Sequence, residues 1–166
     1  MNIREAIIGD VAAILEIAQK TWWPTYSPIL STEQIAYMLS VLYSEAKISR
    51  QISTGEQTFI LLFADDVPVA FAAYSPREED ADIYKLHKLY CLPQTQGKGY
   101  GKILIDEVCK RVRATGKHTL DLNVNRHNKA LSFYEKMGFA VAYEEDIPIG
   151  TYWMNDFVMR KELGPV

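Results

Sequence analysis

The 166-residue sequence predicts one α/β (α+β) domain, a mixed sheet with helices on both faces. Two observations carry this expectation. Stretches of alternating apolar residues and stretches of helical spacing succeed one another in the order β-α-α-β-β-β-α-β-α-β-β. Three strands in a row before the middle helix, then β-α-β-β, require antiparallel and parallel neighbours in one sheet. The second observation is a glycine-rich stretch, Gln96-Gly97-Lys98-Gly99-Tyr100-Gly101, set between an apolar strand and a helix. Size and composition agree. One core in a chain of this length buries roughly 70% of the unfolded surface, and 48% hydrophobic with 23% charged residues is an ordinary globular balance. No repeat, linker or low-complexity segment divides the chain.

Residues 2–6 read as a short strand. Asp10 is placed to cap a helix with Val11, Ile14, Leu15 and Ala18 on one face, ending near Trp22. The proline-punctuated passage Trp22-Trp23-Pro24-Thr25-Tyr26-Ser27-Pro28 is expected to be largely loop. Ser31 or Thr32 caps a second helix carrying Ile35, Met38, Leu39 and Leu42, and a further turn runs from Ser44 toward Ile52. Residues 57–64 and 67–74 form a hairpin about Asp65-Asp66. After the acidic loop Glu78-Glu79-Asp80 comes the strand 83–92. The helix beyond the glycine turn carries Ile103, Leu104, Val108 and Val112 and stops at Gly116. Leu120, Leu122 and Val124 alternate in a strand over 119–124. A short helix spans 129–137, and strands over 139–143 and 152–159 complete the chain.

A strand, a glycine-rich turn and a helix start form an anion site. Glycines let a phosphate approach, N–H groups point outward, and the helix dipole favours negative charge. The P-loop spacing fails, because Gly97 and Gly101 have three residues between them and Ile103 follows Lys102. The dinucleotide pattern fails because Lys102 occupies the place of its third glycine. Gln-x-x-Gly-x-Gly fits, through Gln96, Gly99 and Gly101. By itself, a turn that merely starts a helix explains those residues as well.

Three further stretches change that balance: Leu89-Tyr90-Cys91-Leu92-Pro93, Asn123-Val124-Asn125-Arg126-His127-Asn128, and Ala130-Leu131-Ser132-Phe133-Tyr134-Glu135-Lys136-Met137-Gly138-Phe139. With the glycine turn they resemble the GNAT N-acetyltransferase superfamily, strongly over residues 82–140 and by element order elsewhere. The resemblance implies a central sheet of about seven strands flanked by about four helices, its central strands splayed into an acetyl-CoA cleft. It implies acetyl-CoA as co-substrate and no metal. Tyr90, Cys91, Leu92, Gln96, Gly97, Lys98, Gly99, Tyr100, Gly101 and Asn128 are the implied cofactor contacts. His127 stands where the family often has asparagine, so the choice between Asn128 and His127 stays open, and Asn128 equally suits a helix cap. A backbone N–H near Tyr90 to Leu92 is the implied donor to the thioester carbonyl, from a bulge expected there. Tyr134 matches the general acid that protonates the leaving thiolate; a core tyrosine is the plain alternative. Lys98 and Lys102 add charge at the turn or are simply solvated.

An alkylammonium must lose a proton before attack; the resemblance implies a glutamate, in some branches, on the strand that here contains Asn123 or Lys85, and neither position is acidic in this chain. His87 has a suitable intrinsic pKa but reads equally as packed, so ordered water is the default relay. Trp22, Trp23, Tyr26 and Tyr37 are the candidate acceptor walls, since aromatic faces attract alkylammonium groups; core packing is the alternative. Residues 29–39 and 152–159 are similar to bacterial polyamine (spermidine/spermine) acetyltransferases of the superfamily. That points to a small polyamine or diamine acetylated by direct attack in a ternary complex, with Glu33, Glu78, Glu79 and Asp80 available for its distal charge if they face the cleft. Acetylation of protein N-termini, and a non-catalytic coenzyme A-binding module, are the competing readings. The first would require an open groove between the early helices and the last hairpin.

The net charge of −3 argues against a nucleic-acid partner. Cys91 and Cys109 read as buried thiols of a reducing compartment. The first five residues are no signal peptide, and no apolar run reaches the ~18 residues of a membrane span, so a cytoplasmic protein is expected. A homodimer is allowed by the sequence.

Overall fold

The computed structural model describes residues 1–164. Seven strands, β1 (Asn2–Glu5), β2 (Thr58–Ala64), β3 (Val67–Pro76), β4 (Ile83–Cys91), β5 (Thr119–Asn125), β6 (Ala140–Ile149) and β7 (Tyr152–Glu162), form one sheet in the order β1-β2-β3-β4-β5-β7-β6. The β4–β5 pair is parallel and every other pair is antiparallel. Five α-helices flank the sheet: α1 (Val11–Tyr26), α2 (Thr32–Leu42), α3 (Glu45–Thr54), α4 (Tyr100–Ala114) and α5 (Ala130–Lys136). Successive strand residues point to opposite faces, and β4 shows which helices cover which. Tyr90 meets Trp22 of α1 and Tyr43 beyond α2, whereas Cys91 lies beside Gly101 of α4. With both faces covered, Phe59-Ile60-Leu61-Leu62 in β2 is buried without a break.

The β4–β5 ladder runs from Ile83↔Thr119 to Leu86↔Leu122 and stops there. The strands splay beyond it, as expected. Their joined end is tied by Asp121, fully buried, which accepts from Arg77 Nε at 2.9 Å and from Arg160 Nε and Nη2 at 2.7 and 2.9 Å.

Several local expectations change. Helix α1 does not end near Trp22 but continues through Pro24 to Tyr26. Pro24 lies on the exposed side of the last turn, where a missing N–H costs least, while Trp22 and Tyr26, four apart, share the buried face. The expected loop is therefore mostly helix. Asp10 precedes α1 without capping it; its carboxylate accepts from the Ile7 N–H and pairs with Arg4, both at 2.8 Å. The turn after Ser44 is a full helix, capped by Ser44 Oγ accepting from the Lys47 N–H at 3.1 Å. The last hairpin is longer than expected. The acidic run Glu144-Glu145-Asp146 belongs to β6, a sheet edge whose outer side tolerates charge and Pro148. Asp65 and Asp66 both adopt positive φ, 51° and 64°, as a two-residue hairpin turn demands.

Candidate active site

The splay exposes the rim of β4. The register against β3 skips at His87, since Ala73 pairs with Lys88 but Tyr74 with Leu86. The bulge thus falls at His87 and not over Tyr90 to Leu92, a correction to the expected position. Leu92 N–H donates to Val69 O at 2.9 Å. By the alternation of an antiparallel ladder, Tyr90 and Lys88 also spend their N–H groups on β3. Leu89 and Cys91 turn theirs into the gap. His87 Nε2 lies 2.7 Å from Ser75 Oγ. Burial, then the charges of Lys85, Lys88 and Arg77, push its pKa down to about 3, so His87 is neutral and a poor base.

Beyond β4 a short 3-10 turn, Pro93–Thr95, is closed by Thr95 Oγ1 donating to Leu92 O at 2.7 Å. Gly97 and Gly99 then take φ of 88° and 80°, left-handed values that favour glycine. Lys98 N–H is used by Thr95 O. The N–H groups of Tyr100, Gly101 and Lys102, in the first turn of α4 after Gly99, have no intrahelical acceptor. A Cβ on Gly101 would sit 3.3 Å from Phe133 Cζ and 3.9 Å from Cys91 Sγ. That closeness seats the start of α4 against α5. Glycine turn, β4 rim and α5 enclose a cleft of about 840 Å³ lined by Gln96, Gly97, Gly99, Tyr100, Gly101 and Tyr134 among others. Lys102 also lines it and pairs with Asp106 at 2.7 Å, while Lys98 does not line it.

Tyr134 packs against Phe133 and Phe139, with ring centroids 5.4 and 6.1 Å away. Burial, with Tyr90 and Cys91 nearby, raises its phenol above the ordinary range, so it holds its proton at neutral pH. Burial likewise pushes the Cys91 thiol up to about 11, which leaves little thiolate. Asn128 and His127 both line the cleft, and Asn128 Oδ1 accepts from the Ala130 N–H at 2.9 Å at the start of α5.

Through the gap, on the α1 face, lies a smaller cavity of about 290 Å³. Its aromatic wall is Trp22, Tyr26, Tyr43 and Tyr90, with Trp22 centroids 4.4 to 6.5 Å from the other three. Lys88 Nζ donates to Gln57 Oε1 at 2.6 Å and Gln51 Oε1 at 3.3 Å, and burial pushes its pKa down to about 7. Asp156, only 5% exposed, lines the same cavity; its Oδ2 accepts from Asn123 Nδ2 at 3.2 Å. Trp23 and Tyr37 line neither space. Tyr37 instead stacks on Tyr152 at 5.4 Å and covers Gly150, where a Cβ would strike its ring. Glu33, Glu78, Glu79 and Asp80 line neither space either, the last three lying before the joined end of β4. Among the described residues no group of three His, Cys, Asp or Glu side chains is gathered as a metal would need, and no helix is long and apolar enough to cross a membrane.

A family model described as an acetyltransferase (GNAT) domain matches residues 26–163. The chain belongs to the GNAT family. It is 29% identical over 167 residues to spermidine N(1)-acetyltransferase of Thermoplasma acidophilum, covering 98% of this chain and 97% of that one. The crystal structure of PaiA N-acetyltransferase from the same organism in complex with coenzyme A superposes with a TM-score of 0.83 at 31% identity, over 97% of this chain and 98% of that one. A shorter stretch, 54 residues or 32% of this chain and 37% of the relative, is 39% identical to the [ribosomal protein bS18]-alanine N-acetyltransferase of Haemophilus influenzae. The protein is an acetyl-CoA-dependent N-acetyltransferase with acetyl-CoA as co-substrate.

In this GNAT domain the structure gathers Gln96, Gly97, Gly99, Tyr100, Gly101, Tyr90, Cys91, Asn128 and Tyr134 about one cleft, and Trp22 and Tyr26 beside it. Sequence reading missed Leu89, Tyr43, Lys88 and Asp156. For Asp156 a signal was present: in β7 it interrupts an otherwise apolar every-second-residue face, Met154, Asp156, Val158.

Proposed function

We propose that this acetyltransferase acetylates a primary amine of a small polyamine or diamine by direct attack in a ternary complex. The observation that carries the choice of acceptor is the docking of the β6–β7 hairpin onto α2. Gln34 Nε2 donates to Trp153 O at 2.8 Å, and Tyr37 closes over Gly150 against Tyr152. A polypeptide end needs an open groove there; a flexible methylene chain does not. The similarity to a spermidine acetyltransferase supports the same choice. The partial similarity to an enzyme acting on a ribosomal-protein alanine is what favours the second reading, a protein N-terminus.

The residues divide the work. Bound acetyl-CoA supplies an activated acetyl group as its thioester. Tyr100, Gly101 and Lys102, at the positive end of α4, offer N–H groups to the pyrophosphate. Gly97 and Gly99 let the backbone come close, and Gln96 and Asn128 border the same channel. Leu89 and Cys91 offer N–H groups to carbonyl oxygens in the gap. Tyr134 gives its hydroxyl proton to the departing sulfur. Cys91, held as a thiol, is not acetylated on the way.

Thiol release measured over a panel of mono-, di- and polyamines, with both substrates varied, tests this reading. Small amines turning over with intersecting double-reciprocal lines are expected. Parallel lines, the mark of a covalent acetyl-enzyme, or an inert amine panel beside an active peptide, would overturn it.

A further inference from the structure

The smaller cavity holds a carboxylate that the chemistry above does not use. Asp156 is 5% exposed, and its Oδ1 has no hydrogen-bond partner among the described residues. A buried, unpaired carboxylate oxygen is costly to fold, and here it lines a cavity walled by Trp22, Tyr26, Tyr43 and Tyr90. Aromatic faces with one carboxylate form a receptor for an alkylammonium. We propose that Asp156 binds the reacting ammonium of the acceptor through Oδ1 and accepts its proton, acting as the general base. This rests on acetyl transfer to an amine but not on the amine being a polyamine.

The surroundings bear on that role from every side. On β5, Asn123 Nδ2 donates to Asp156 Oδ2 and also to Glu145 Oε1 at 3.0 Å, and Asn125 pairs across from Asp156. On β6, Glu145 is its register partner. Arg126 Nε donates to the main-chain carbonyl of Asp156 at 3.1 Å and its Nη2 to Asp146 at 2.8 Å, which keeps that cation outside the cavity. From β4, Lys85 is near enough to act on the carboxylate through its charge, yet no ion pair joins them among the described residues. His87 lines the cavity as a neutral ring, and Lys47 of α3 and Lys88 of β4 line it too, Lys88 being held by Gln51 and Gln57. Tyr26 ties the two halves of the site together: burial raises its phenol, and the neighbouring Tyr90, Tyr134 and Asp156 raise it further. Burial raises the Asp156 carboxyl too, against the Asn123 bond and the charges of Lys85 and Arg126, which suits a base better than an ordinary aspartate.

The protons balance. R–NH3+ gives one to Asp156, leaving R–NH2. As nitrogen bonds to the acetyl carbon and the C–S bond breaks, Tyr134 protonates the sulfur. The second nitrogen proton then restores Tyr134, and Asp156 releases its own to solvent. The products are the amide, free thiol and one proton.

The test compares wild type, Asp156→Asn and Asn123→Ala, with spermidine and with an alanine-starting peptide, using whichever turns over faster. Wild-type kcat/KM is expected to rise along a limb above the ordinary carboxylate range and then stay flat to about pH 9. Asp156→Asn should lower it about 100-fold or more at pH 7, with acetyl-CoA affinity unchanged by calorimetry. Its profile should climb about tenfold per pH unit as the free amine, of pKa near 10, appears. Asn123→Ala removes a bond that favours the carboxylate, so it should move the wild-type limb to higher pH, and it decides the matter if Asp156→Asn does not fold. A merely structural Asp156 would lower the rate equally at every pH, with the limb in place and unmoved by Asn123→Ala; that overturns the proposal. Faster turnover of the peptide than of spermidine would instead overturn the polyamine reading alone.

Discussion

Tyr134 lines the larger cleft, with Tyr90 and Cys91 beside it and Tyr26 near enough to share its electrostatics. Removing its hydroxyl leaves the ring packing on Phe133 and Phe139 in place. Tyr134→Phe is therefore expected to bind acetyl-CoA within about twofold of wild type while kcat falls about 100-fold. A kcat within twofold, with chemistry limiting, would make Tyr134 a packing residue. Lys88 is a second residue-scale case. The unfolded lysine keeps its proton up to about 10.5, whereas the buried one releases it at about 7. Between those values the unfolded chain binds more protons, so this residue makes stability rise with pH. Lys88→Met removes that dependence. Its melting temperature should gain most on wild type near pH 6, and the gain should shrink toward pH 9; a difference constant with pH would contradict the assignment. Tyr134 could be named from sequence because it sits inside a motif. Asp156 could not, since its meaning depends on which face of β7 is buried and on the cavity opposite.

Among the elements, the glycine turn carries the sharpest expectation. Nothing lies within 4 Å of a Cβ on Gly99, but its φ of 80° excludes a β-branched side chain without strain, at about 1–2 kcal/mol for the left-handed backbone alone. Gly99→Val should keep a native circular dichroism spectrum and lose acetyl-CoA affinity at least about tenfold in calorimetry. Unchanged affinity would remove the turn from the cofactor site. The joined end of β4 and β5 depends on Asp121, the shared acceptor of Arg77 and Arg160. Asp121→Asn should destabilise the fold by about 3 kcal/mol, as breaking a buried ion pair does, seen as a lower urea midpoint. Where sequence misplaced an element, local rules yielded to packing. Pro24 and the flanking aromatics read as a loop, yet the buried faces of Trp22 and Tyr26 hold α1 together past the proline. The acidic residues of β6 hid a strand because an edge needs only one apolar side.

Across the whole molecule, element order and the two motifs made the sheet and cofactor cleft readable, because each depends on residues adjacent in sequence. The proposed acceptor cavity was only partly readable, since Trp22, Tyr43, Lys88 and Asp156 come from four separated segments. The acidic group lining it is Asp156, with Glu145 bonded to Asn123 behind it and Glu144 and Asp146 next along β6, not Glu78 to Asp80. A polycation should gain from them at encounter, and that gain should fade with salt, since exposed charges are screened within about 8 Å at physiological ionic strength. Aromatic contact with the methylene chain should persist. Spermidine and an alanine-starting peptide competing for one pool of acetyl-CoA, at low and high salt, test the acceptor choice most directly. Spermidine should be acetylated with the higher kcat/KM at both, by a margin that narrows but survives at high salt; a peptide acetylated faster at low salt would contradict the polyamine account.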